Sequence, residues 1–295
     1  YDIREGRAMV DAARRAGNVV QVGFQRRQNA AVLEARDFIR SGGAGEIVQV
    51  DAKIHYRANP ESAVPVEPPA SLDWDLWCGP APKQPYSPGI GHFHWRLEKA
   101  YGNGHLVDWG IHWIDSIRHT LDETTPHNVQ AAGGIYHLVD RITTPDTLSA
   151  HFDFATCPVH WRHRLWGARE IGAENNNCAV YFGTKATVKV AGRGWMVFPN
   201  SRDAAPIVHE PKQAVGDGVQ HMADFLAARR EGRQPSCDVE DGYRSTAAVQ
   251  LAMISYENRK TIRWDAENER ILDNPEAHAM LKREYRAPWQ HPFQS

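Results

Sequence analysis

No apolar run in this sequence approaches the roughly 20 residues that span a bilayer, and no basic block is present. With a formal net charge of -2, nothing attracts the chain electrostatically to nucleic acid or to a membrane surface. Heptads and internal repeats are missing too, which removes coiled coils and solenoids. The four cysteines, Cys78, Cys157, Cys178 and Cys237, form no CxxC pair. A zinc knuckle therefore has no support, and cysteine usage says little about the redox compartment. No Gly-x-Ser-x-Gly elbow occurs, so a nucleophilic triad has none either. A dinucleotide fingerprint is also lacking. Gly102-Asn103-Gly104 imitates its start, but the third glycine is missing and no buried strand precedes it.

What is there is a chain of 295 residues, enough for one large domain or two ordinary ones. Asp2 with Glu5 resembles a capping box, Ile3, Met9, Val10 and Ala13 give an amphipathic stripe, and Gly17 is a natural stop. The apolar run Val19 to Phe24 predicts a buried parallel strand, and 29–41 a helix ended by Gly42-Gly43. Helix, strand and helix suggest α/β, with ligands expected beyond the strand's C-terminal end, at Gly23 to Arg27. Ile47 to Tyr56 alternates as a strand, and the proline-rich stretch 57–90 predicts a long ordered loop. From Val129 the alternation predicts strands at 129–138, 146–154, 159–167, 178–190 and 195–198, broken at Gly133-Gly134 and Gly183-Thr184-Lys185. Such alternation belongs to a half-solvated antiparallel sheet. Helices are expected at 217–231 and 238–259, a last strand at Thr261 to Asp265, then a tail with proline. The class is α/β plus α+β: a Rossmann remnant over 1–45, then a domain over 46–295 with a large, open, mostly antiparallel sheet.

The most informative stretch is Gly104 to Asp115, which has helical apolar spacing yet carries Asp108 and His112 four residues apart. Such residues share one helix face. A surface ion pair would satisfy that spacing as well as a reaction centre does. The neighbourhood favours the centre: His92, His94, Trp95, Arg96 and His105 lie upstream, and Trp74, Trp77, Trp95, Trp109 and Trp113 fall in the same region. Polar groups among aromatic faces suit a polar ring such as a sugar. His112 and Asp108 are the acid–base candidates, since imidazole titrates near neutrality and a carboxylate can orient it. His92-x-His94, completed by His105, Asp108 or His112, is a weaker metal reading.

Asp108-x-Gly110-x-His112-x-x-Asp115 after a glycine turn and a Trp95-Arg96 pair resembles the Gfo/Idh/MocA oxidoreductase family (glucose-fructose oxidoreductase, inositol dehydrogenase and relatives). Leu72 to Pro82 and Glu284 to Trp289 resemble a subgroup often exported by the twin-arginine route, and Val22 to Arg27 resembles the family's last Rossmann strand and turn. The resemblance implies NAD(P) as cofactor and hydride transfer to or from a sugar or polyol carbon. It implies His112 as acid–base group and Asp108 as its partner or a substrate ligand. Trp95, Arg96, Gln25 and Tyr256 would face the cofactor, and His94, His92, Arg26 and Trp109 the substrate. It further implies a homo-oligomer through the open sheet and a periplasmic location, with cytoplasmic as the alternative. The family's GxGxxG half and its Glu-Lys-Pro motif are not among these residues, and Glu98-Lys99-Ala100 is no substitute. A fragment of a longer chain, or a natural remnant, is expected on that ground. Two other readings stay open: a glycoside hydrolase or lyase assisted by redox chemistry or a metal, and a non-catalytic sugar-binding or assembly module.

Overall fold

The computed structural model describes residues 1–167, 175–192, 194–201, 203–212 and 215–293. Helix α1 (Ile3–Ala16) begins at the capping box, where Asp2 accepts the Glu5 N–H at 2.7 Å, and ends at Gly17 with φ of 64°. Helix α2 (Ala30–Arg40) is capped by Asn29, whose side chain accepts from the Ala31 and Val32 N–H groups. Val19 to Phe24 does not form the expected strand. Among the described residues its sheet-type pairing is a single bridge, Gln21 to Asp238. A strand needs a neighbour along its length to satisfy its backbone, and among the described residues this segment meets Cys237 and Asp238 at one point, while the Gln21 side chain and the Val22 carbonyl bond to His221.

Strand β1 (Ile47–His55) lies near the middle of a ten-stranded sheet and is followed by β2 (Asn128–Gly134), β3 (Thr147–Asp153) and β4 (Pro158–Arg164). The hairpin of β5 (Asn177–Gly183) and β6 (Ala186–Ala191) turns where Gly183-Thr184-Lys185 breaks the alternation. Next come β7 (Gly194–Pro199), β8 (Ile207–His209), β9 (Ile262–Asp265) and β10 (Arg270–Leu272). The order is β10-β9-β2-β3-β4-β1-β5-β6-β7-β8, with β1–β4 parallel and every other pair antiparallel. The large, open, mostly antiparallel sheet is thus present.

One face of the sheet is dry. In β4, Val159, Trp161 and His163 point into the core, while His160 and Arg162 are exposed. Helix α4 (Ile111–Leu121) and helix α6 (Val239–Asn258) cover the dry face, with α1 against α6 and α2 against α4. Helix α5 (Asp217–Glu231) packs on the Gln25–Gln28 turn. The loop over 57–90 contains one unexpected short helix, α3 (Trp74–Cys78). A further short helix, α7 (Pro275–Ala279), lies beside β10. No helix among the described residues is long and apolar enough to cross a membrane.

Candidate active site

The dodecapeptide is helical, but not uniformly so. Leu106–Gly110 form a π-helical turn, with the Ile111 N–H bonded back to the Leu106 carbonyl, and α4 follows directly. Gly110 is tightly held: a Cβ there would lie 2.8 Å from Leu106 Cδ1 and 2.9 Å from Trp161 Cζ2. The π turn is where the expected regular helix fails, and such turns concentrate at functional sites.

Asp108 and His112 both open onto one cleft of about 870 Å³. Gln25, Arg26, Arg96 and Trp109 line it as well. Asp108 does not pair with His112. Its Oδ1 accepts from Arg96 Nε at 3.1 Å, and among the described residues no hydrogen bond joins the two. Burial raises the Asp108 carboxyl above the usual carboxylate range, against the pull of Arg96. Burial, then the charge of Arg26, lowers the His112 imidazole, which Asp115 partly offsets. Its ring meets Phe24 edge-on, with centroids 5.8 Å apart. Both groups are therefore displaced toward their neutral forms, which leaves the imidazole free to accept a proton.

Arg96 is held by a close turn. A Cβ on Gly102 would fall 2.4 Å from Arg96 Cα, and the Gly104 N–H donates to the Arg96 carbonyl at 2.9 Å. Its guanidinium lies over Phe93 and Trp95. Beneath the cleft the adjacent arginine does different work. Arg27 is bidentate to Asp115 at 2.6 and 2.7 Å and reaches Asp241 at 2.6 Å. Asp115 also accepts from Ser245, and Arg118 pairs with Asp241 at 2.8 Å. This buried knot ties the Gln25–Gln28 turn, α4 and α6 together, and so fixes where Gln25, Arg26 and His112 emerge.

Not every expected residue reaches the cleft. Trp95 lies behind Arg96 in a small cluster with Trp74, Trp77, Tyr86 and Tyr101. His92 is exposed outside the lining, and His94 feels the charges of Glu61 and Arg141. Tyr256 sits against the main core, near Tyr136 and Glu257. The aromatic wall expected for a sugar is thus reduced to Trp109 and Phe93, because the other tryptophans pack on one another or, as Trp113 does, fill the core. The metal set of His92 and His94 with His105, Asp108 or His112 is not assembled. His105 is buried against Tyr56 and His163, and burial puts its imidazole far below the usual range. Among the described residues, Asp2, Glu5 and His291 are what does cluster with metal-ligand spacing. Two of them already serve other ends: Asp2 and Glu5 cap α1. The sequence reading missed Asn29, Phe93, Asn177 and Asp217 in the lining. Asn177 and Asp217 come from β5 and α5, far along the chain, and only the Asn29 cap left a local signal.

No curated protein matches the sequence. Solved structures do match in fold. The aldose-aldose oxidoreductase from Caulobacter crescentus complexed with glycerol superposes with a TM-score of 0.68 at 18% identity, covering 89% of this chain and 69% of that one. Levoglucosan dehydrogenase in complex with NADH and levoglucosan gives 0.65 at 18%, covering 89% and 71%. The super-repressor mutant of Gal80p from Saccharomyces cerevisiae gives 0.65 at 14%, covering 89% and 69%. A family model described as "Oxidoreductase family, C-terminal alpha/beta domain" matches residues 46–153 and 176–291. Those segments hold the π turn, α4 and nearly the whole sheet, and on them the chain belongs to the Gfo/Idh/MocA oxidoreductase family.

Proposed function

We propose that the protein transfers hydride between NAD(P) and a carbon of a sugar or polyol, with His112 as the acid–base group. One observation carries this reading: Asp108 and His112 face one cleft, and their environments push their proton affinities in opposite directions. A neutral imidazole there can accept the proton of a substrate hydroxyl. Asp108, steadied by Arg96, orients that hydroxyl. Gln25 and Arg96 carry N–H donors at the cleft surface and fit the nicotinamide end of a dinucleotide. The adenosine diphosphate end has no counterpart, since no glycine-rich strand–turn–helix occurs among these 295 residues. When bound, the nicotinamide supplies the hydride acceptor or donor.

In this reading residues 1–45 end a dinucleotide-binding domain and 46–295 form the substrate domain. The open sheet face joins copies of the chain, and the protein works in the periplasm. The likeness to the super-repressor mutant of Gal80p makes fold alone neutral between an enzyme and a binding module. The displaced pair in the cleft favours the enzyme.

The test is steady-state turnover with NAD and NADP across glucose, glucuronate and myo-inositol, for the parent and His112→Asn. The variant is expected to lose about 10²–10⁴-fold in kcat. A loss of less than about threefold on the best substrate removes His112 from the chemistry.

A further inference from the structure

Arg26 is a guanidinium largely withdrawn from water that meets no carboxylate within ion-pair distance among the described residues. Among the described residues it makes no salt bridge and its side chain donates no hydrogen bond; it lies over the Trp113 indole, 4.0 Å from the ring centre, and faces the cleft. Burial brings it down to about 10, the charge of Asp217 opposing. The acidic groups that could quench it are engaged elsewhere. Asp217 takes the Asn29 amide at 3.2 and 3.3 Å, and Asp108 takes Arg96. A desolvated cation costs free energy until a hydrogen-bonded anion meets it.

We infer that Arg26 receives a carboxylate carried by the substrate, so that the cleft takes an acidic sugar, an aldonate or a uronate, in preference to a neutral one. The planar donor fork of arginine matches the two oxygens of a carboxylate. Asp108 and Asp217 share the cleft, so a monoanion suits it better than a phosphate dianion. Arg26 is thus a specificity residue beside His112. The inference rests on the sugar reading above and narrows its substrate class.

Calorimetric titration tests it, with glucose, glucuronate, gluconate, acetate and inorganic phosphate as separate probes of the parent, Arg26→Met and Arg26→Lys. Glucuronate or gluconate is expected to bind the parent about tenfold or more tighter than glucose. That preference should collapse in Arg26→Met and survive in part in Arg26→Lys. Equal affinity for glucose and the acids, or a preference that persists in Arg26→Met, overturns the carboxylate site and leaves the sugar reading standing. Phosphate binding tighter than either sugar acid also overturns it. Acetate binding as tightly as glucuronate upholds the carboxylate site and overturns the sugar reading. No binding of any probe overturns both.

Discussion

The two sides of α4 use the same residue types to opposite ends. On the buried side Asp115 and Arg118 join Arg27, Ser245 and Asp241 in a network where each charge has an opposite partner. On the cleft side His112 and Arg26 are desolvated without such partners among the described residues. Buried polar groups in folded proteins are nearly always satisfied. A satisfied set records what the fold needed, and an unsatisfied set beside a cavity records what the fold leaves for a ligand. Arg26 and Arg27 make the contrast at its sharpest, being separated by one peptide bond.

The contrast can be broken hardest from the buried side. Asp115→Ala strands Arg27 in the interior and should cost about 3–5 kcal/mol in urea unfolding. A loss under about 1 kcal/mol would mean that the knot is not what holds the Gln25–Gln28 turn to α4.

Acid should act next. His163 is fully buried and burial holds its imidazole at about 4, below the ordinary 6.5. Its folded-state affinity for protons is depressed, so its contribution is complete above 6.5 and is lost as pH falls toward 4. The loss is on the order of 3 kcal/mol. Thermal melts from pH 7.5 down to 4.5 should therefore show Tm falling steadily. A flat Tm across that window would contradict a neutral buried His163.

The smallest change tests the cleft side. Arg26→Met removes a cation that has no ion-pair partner among the described residues, so stability should stay within about 1 kcal/mol of the parent. The same change should move the pH–rate profile. The Arg26 charge disfavours imidazolium at His112, so removing it raises the His112 proton affinity and shifts the rising limb to higher pH. An unmoved limb would separate Arg26 from His112 electrostatically.

Much of the fold was legible because its signals are local. The Asp2–Glu5 box, Gly17, the alternation of β3 and β4 and the Gly183–Lys185 turn each act within a few residues. The same holds for α5 and α6, expected at 217–231 and 238–259 and found at Asp217–Glu231 and Val239–Asn258. Short elements such as β8, β10 and α3 gave no periodicity to read, being three to five residues long. The strand expected over Val19 to Phe24 failed for the opposite reason: its apolar pattern is clear, but pairing depends on a neighbour that local sequence does not name.

For the site, the sequence by itself determined that Asp108 and His112 share a helical face and that a glycine turn precedes them. Tertiary structure decided the rest. It turned Arg27 inward and Arg26 outward, gave Asp108 to Arg96 rather than to His112, and sent Trp95 and Tyr256 away from the cleft. The physical reason is reach. Arg27 meets Asp115 across 88 positions, and Asp217 faces Asn29 across 188. Spacing along the chain fixes which side chains share a face, whereas desolvation and pairing depend on groups that folding alone brings near.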